Sequence, residues 1–152
     1  AADADAIFLP GGYPELHAGR LAEAQKFMVS MRTFREKGAL IYGECGGFMV
    51  LGRSLSDADQ ERHPMLGFLD VETTIGNPTR RLGYRKLTHR SPLPWPKHLT
   101  GHEFHYSSAS VAGNAPLFEA TDAIGAALPP MGAIAGNVMG SYAHIIDASY
   151  AR

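Results

Sequence analysis

The sequence predicts an α/β fold with a doubly wound, parallel sheet. Two features carry that expectation: two continuously apolar strands separated by a helix, and a glycine cluster at the carboxyl end of each strand. Strands that are apolar along their whole length are buried on both faces, as in a parallel sheet with both faces covered. In such sheets neighbouring strands end at one carboxyl edge, where glycine loops let backbone approach a ligand.

Ala6-Ile7-Phe8-Leu9 is the first strand, stopped by Pro10-Gly11-Gly12. A helix follows over 21–37, where Leu21, Ala24, Met28, Met31 and Arg35 recur at helical spacing and Phe27 and Phe34 widen the apolar face. Gly38 stands where a helix end favours a left-handed residue. Ala39-Leu40-Ile41-Tyr42 is the second strand, running into Gly43-Glu44-Cys45-Gly46-Gly47, and a second helix opens at Phe48. Beyond it the stretches 66–74, 82–89, 101–108 and 117–124 are short, turn-bounded and β-leaning. Pro92-Leu93-Pro94-Trp95-Pro96 is a loop, because three alternate prolines cannot continue a ladder. Residues 132–146 read as one strand ending near Gly140-Ser141-Tyr142.

With no repeat and no internal linker, residues 1–152 are expected to form one domain. Fourteen Lys and Arg against fifteen Asp and Glu leave a net charge of −1, which removes an electrostatic case for nucleic acid or an anionic membrane. No apolar run spans a bilayer, and no leader is expected. A first residue of Ala rather than Met points to an upstream portion that has been removed. The single cysteine excludes an internal disulfide framework and a cysteine-built zinc site, and fits a reducing, cytoplasmic compartment.

Cys45 is the candidate nucleophile. An apolar strand, a G-x-C-x-G turn and an apolar helix form the nucleophile-elbow pattern, whose glycines let the chain bend sharply around the reactive residue. The turn sets the sulfur at a helix start, where the partial positive charge is expected to favour thiolate. The Gly46 amide, free in the first turn, and the Gly12 amide, uncrowded in the other glycine loop, are the expected oxyanion donors. A thiolate nucleophile needs a proton shuttle. Of the seven histidines, His17, His63 and His98 are expected to be exposed without a role, and His89 solvated.

His102 and His105 lie in Gly101-His102-Glu103-Phe104-His105-Tyr106, which is one residue short of the zinc motif H-E-x-x-H and on a strand. They point to opposite strand faces, so no metal site is expected, whereas Glu103 and His105 share a face and can line the cleft. His144 falls at the carboxyl edge and is the candidate base. Neither a Walker A motif nor a dinucleotide fingerprint occurs, so no ATP or NAD site is expected in this chain.

Four ordered segments bear a family resemblance: Phe8 to Glu15, Tyr42 to Met49, Gly101 to Tyr106 and Gly136 to His144. Together they resemble the C-terminal glutamine amidotransferase domain of cobyrinic acid or hydrogenobyrinic acid a,c-diamide synthase. The resemblance implies a class I, triad-type glutaminase with a flavodoxin-like, mixed and mostly parallel sheet flanked by helices, truncated at its N-terminus. It implies glutamine as substrate, attack by Cys45, an oxyanion held by Gly12 and Gly46, and His144 as base, with Tyr13, Glu103 and His105 at the substrate pocket. It also implies a separate synthetase domain, where ATP and Mg²⁺ activate the a and c carboxylates of a corrinoid for the ammonia released, and a homodimer. Many triad glutaminases carry Glu two residues after the histidine. That position is Ile146 here, with Asp147 one further, so a Cys–His dyad is expected, oriented by Glu103 or a backbone carbonyl. Within the wider family cobyric acid synthase, which typically has Gln at the position of Met49 and a different sequence around Glu103, is the nearest rival reading, and the diamide synthase is the better match. A cysteine hydrolase of esters or lactones and a non-catalytic docking module stand as the other readings.

Overall fold

A computed structural model describes residues 4–76 and 80–149. Strand β1 (Ala6–Leu9) leads through a single 3-10 turn at Pro14–His17 into helices α1 (Ala18–Ala22) and α2 (Gln25–Glu36). Strand β2 (Leu40–Glu44) and helix α3 (Gly46–Leu51) follow. Short strands β3 (Ser54–Ser56), β4 (Arg62–Pro64) and β5 (Val71–Thr74) precede the long pair β6 (Arg81–Thr88) and β7 (His98–His105). The chain ends with β8 (Ser108–Val111), β9 (Phe118–Asp122), β10 (Ala127–Met131), β11 (Ala133–Ala135), β12 (Val138–Ser141) and β13 (Ala143–Ser149).

Three sheets result. The first has the order β1-β2-β12-β11, with β1, β2 and β12 parallel and β11 antiparallel at its edge. The second is a five-stranded antiparallel sheet, β10-β9-β6-β7-β13, and the third is a mixed sheet, β4-β3-β5-β8. Side chains alternate across a strand, and here the alternation sorts two cores. Ile41 and Val138 enter one core with Met28, Met31 and Phe34 of α2 and Phe48 and Leu51 of α3. Tyr42 and Met139, one residue along, enter the other with Leu87, Leu99 and Phe118 of the antiparallel sheet. β2 and β12 are therefore buried on both faces, with helices on one side and the five-stranded sheet on the other. β1, expected to be buried along its length, is instead the edge strand of its sheet, and Phe8 is 52% exposed. No helix among the described residues is long and apolar enough to cross a membrane.

Three expected elements take a different form, and β3, β4 and β10 were not expected at all. The helix expected over 21–37 is two helices, because Ala24 leaves the helical region (ψ 65°) and α2 restarts at Gln25. Gly38 does end α2 in a left-handed conformation (φ 79°). The stretch 66–74 is strand only at β5. The single strand expected over 132–146 is three, because Gly136 (φ 60°) turns β11 back onto β12 and the chain bends again at Tyr142 to enter β13.

That second bend positions the site. β12 finishes in the parallel sheet, with Ser141 opposite Glu44 of β2. Two residues later β13 starts in the antiparallel sheet, with Ala143 opposite Glu103 and His144 opposite His102 of β7.

Candidate active site

Cys45 follows the last residue of β2 and adopts φ 49°, ψ −107°, a left-handed backbone in a residue that carries a Cβ. Such angles are costly and persist only where the surroundings hold them. Here the Cys45 amide donates to Ser141 O at 2.8 Å, and its carbonyl accepts from the Met49 amide at 3.2 Å. The elbow glycines have a steric cause. A Cβ on Gly43 would lie 2.6 Å from Leu51 Cδ1 and 2.7 Å from the Gly47 carbonyl, and one on Gly47 would collide with the backbone carbonyl of Leu9.

The thiol differs from the expectation of a lowered pKa. Burial pushes it up to about 11, against the lowering effect of the Gly46 amide and with further raising by Glu15, Glu44 and Glu103. The helix dipole expected to win belongs to α3, which is only six residues long. Desolvation therefore outweighs it, and the resting group is a neutral thiol whose Sγ lies 3.9 Å from Phe104 O. Attack requires a base.

His144 is placed to be that base. It lines the same cleft as Cys45, a cavity of about 420 Å³. Gly11 lies between the two. A Cβ there would stand 2.6 Å from His144 Cε1 and 3.5 Å from Cys45 Cβ. His144 Nδ1 is 3.1 Å from Glu44 Oε1, and the second oxygen, Glu44 Oε2, accepts from the Ile145 amide at 3.1 Å. A carboxylate facing Nδ1 makes that nitrogen the donor, which leaves the lone pair on Nε2. Among the described residues Nε2 has no protein partner.

Glu44, not Glu103, therefore orients the imidazole. Glu103 was also expected in the substrate pocket, and it does not line the cleft. It pairs with Arg85 at 2.8 Å and with His105 Nε2 at 2.8 Å, and those contacts turn it to a separate cavity of about 350 Å³. Those partners hold its carboxyl below the usual range despite burial.

The two expected oxyanion donors lie together. A Cβ on Gly46 would sit 2.9 Å from Gly12 N, so the two backbones run in contact. Neither amide takes part in the turn and loop hydrogen bonds of the described residues. The Gly12 position is open, with nothing within 4 Å of a Cβ built there. Tyr13 lines the cleft at its exposed mouth, and His105 lines its wall.

Other histidines depart from the sequence reading. His102 and His105, expected on opposite faces, both reach the cleft, because β7 ends at His105 and the chain turns there. His105 Nδ1 is engaged by Ser107 O at 2.9 Å, and its ring stacks on Tyr142. His89 is buried rather than solvated, held by Ser91 and Pro96 O. His63 is half-buried and hydrogen-bonds Asp57 at 2.8 Å. Asp57, Glu61 and His63 approach closely enough to share an ion, yet Asp57 already accepts the Asp59 and Glu61 amides at 3.0 Å, as a turn of this shape requires.

Sequence reasoning missed Glu44, Gly11 and Glu15 as parts of the site. The available signal for Glu44 was an acidic residue closing an otherwise apolar buried strand, directly before the nucleophile.

Comparison with known proteins identifies the family. Residues 1–151 match the model of the CobB/CobQ-like glutamine amidotransferase domain. Hydrogenobyrinate a,c-diamide synthase of Brucella anthropi is 51% identical over 146 residues, covering 95% of this chain and 34% of that protein. The protein of the same name from Rhodobacter capsulatus is 45% identical, covering 94% of this chain and 33% of its own length. The chain thus spans about a third of the curated relatives it matches. PurLQS from Thermotoga maritima shares the fold at a TM-score of 0.61 and 20% identity, covering 95% of this chain and 70% of that one. A crystal structure of a glutamine amidotransferase aligns at a TM-score of 0.59 and 19% identity. The chain belongs to the CobB/CobQ-like glutamine amidotransferase domain family.

Proposed function

We propose that this chain is the glutaminase part of a hydrogenobyrinate or cobyrinate a,c-diamide synthase. The supporting observation is the meeting of Cys45 and His144 across Gly11, with Glu44 behind the imidazole. His144 Nε2 takes the thiol proton, and Sγ attacks the carboxamide carbon of glutamine. The carbonyl oxygen becomes an oxyanion at the Gly12 and Gly46 amides. Collapse breaks the C–N bond, and the imidazolium returns its proton to the leaving ammonia. The γ-glutamyl thioester is then cleaved by water, deprotonated by the same nitrogen, which releases glutamate and restores the thiol.

Amidation of the corrinoid a and c carboxylates belongs, in this reading, to the portion of the polypeptide beyond this chain, together with its ATP and Mg²⁺. A reducing, cytoplasmic setting and self-association into a homodimer complete the reading. The test is mass spectrometry of the intact polypeptide after 6-diazo-5-oxo-L-norleucine, alongside glutamate release from glutamine. One adduct on Cys45 and loss of release in Cys45→Ala are expected. An unlabelled Cys45, or a Cys45→Ala protein that uses glutamine as well as its parent, overturns the reading.

A further inference from the structure

The cleft contains one carboxylate that the mechanism above does not use. Glu15 lines it beside Cys45, and its Oε2 is buried with no hydrogen-bond partner among the described residues. The residue is rigidly held. It is the second residue of the 3-10 turn Pro14–His17, whose first residue is a buried proline, and a Cβ on Gly46 would lie 2.9 Å from Pro14 Cδ. Glu15 is thereby fixed against the start of α3, next to the two oxyanion amides. A carboxylate oxygen withdrawn from water without a donor is expensive, and proteins retain one where a ligand supplies the missing charge. No Lys or Arg lines the cleft. A cation that arrives with the substrate would meet it.

We propose that Glu15 is the subsite for the α-ammonium group of the substrate, and so the residue by which the cleft selects a free α-amino acid amide over other carboxamides. This rests on the glutaminase reading and adds a specificity determinant to it. A glutamine whose carboxamide lies at Cys45 carries its only cation at the far end of a short aliphatic stem. Glu15 is the one anionic side chain of the lining able to meet it. The same contact links binding to reactivity. Glu15 is one of the carboxylates that hold the Cys45 thiol up in the free protein, so neutralising it with an ammonium eases ionisation of the sulfur when substrate is present.

The test uses the intact polypeptide and two amides, glutamine and 4-carbamoylbutanoate, which is glutamine without its amino group. The parent is expected to prefer glutamine by roughly 10- to 100-fold in kcat/KM, the range of a hydrogen bond to a charged group. In Glu15→Gln that preference collapses towards unity, with glutamine turnover falling and 4-carbamoylbutanoate turnover kept. Alkylation of Cys45 by iodoacetamide, which carries no ammonium, becomes faster, while an unchanged unfolding temperature verifies that the variant is folded. A parent that hydrolyses both amides equally overturns the inference without using any variant. So does a folded Glu15→Gln protein that keeps the parental preference. In both cases glutamine hydrolysis through Cys45 stands. A parent that hydrolyses neither amide and takes no label from 6-diazo-5-oxo-L-norleucine removes the glutaminase reading itself.

Discussion

Replacing Glu44 by Gln changes no heavy-atom count and still disables the base, for a reason set by the two hydrogen bonds of its carboxylate. One oxygen accepts the Ile145 amide and the other faces His144 Nδ1, each at 3.1 Å. A glutamine amide offers only one oxygen. If that oxygen keeps the Ile145 amide, its NH₂ group faces Nδ1, and the imidazole must move its proton to Nε2, where it cannot accept one from Cys45. Turning the amide over restores the tautomer but sets NH₂ against the Ile145 N–H, and the unsatisfied buried donor costs about 1–3 kcal/mol. The imidazolium formed on proton transfer also loses its carboxylate, worth a further 1–2 kcal/mol or so after allowance for the partly exposed ring. The sum is about 2–5 kcal/mol, or roughly 30- to 5,000-fold in kcat. Single-turnover glutamate release, with thermal unfolding as a check on the fold, measures it. Glu103→Gln is the contrast and should stay within about threefold of the parent, since Glu103 faces Arg85 and His105. A folded Glu44→Gln protein within threefold of the parent would refute the assignment.

Two more expectations follow from the same geometry. Without substrate, alkylation of Cys45 should rise with pH along a curve centred near 11. Because the folded value lies above that of an ordinary thiol, the unfolded chain loses its proton first, so this group's stabilising contribution is complete below pH 9 and is lost as pH climbs to about 11. A curve centred at or below 8 would contradict the dominance of burial. Gly11→Ala should lower glutamine turnover by about 100-fold with little change in unfolding temperature, because a Cβ 2.6 Å from His144 Cε1 displaces the ring rather than the core. Turnover near the parental rate would show that the ring does not depend on that contact.

What the sequence made legible was local. The β1 and β2 runs, the elbow between Gly43 and Gly47 and the left-handed Gly38 each depend on neighbours within a few residues. Contacts that span the chain were opaque. Glu44 meets His144 across 100 positions of sequence. The alternation that put Glu103 and His105 on one face was sound, but it said nothing of Arg85 on the neighbouring strand, which claims the carboxylate. The β10 strand was missed because Pro129 and Pro130 argue against a ladder, and they are tolerated because β10 lies at the edge of its sheet. The hairpin between β11 and β12 had its signal in Gly136-Asn137, a turn pair read as the interior of one strand.

The bend at Tyr142 makes two sheets share one short stretch of chain, and the proposed nucleophile and proposed base are divided between them: Cys45 is pinned to Ser141 on one side of the bend, and His144 is laddered to His102 on the other. Their separation is thus a measure of how one layer sits on the other, so a sub-ångström slip of the antiparallel layer would idle the thiol without unfolding anything.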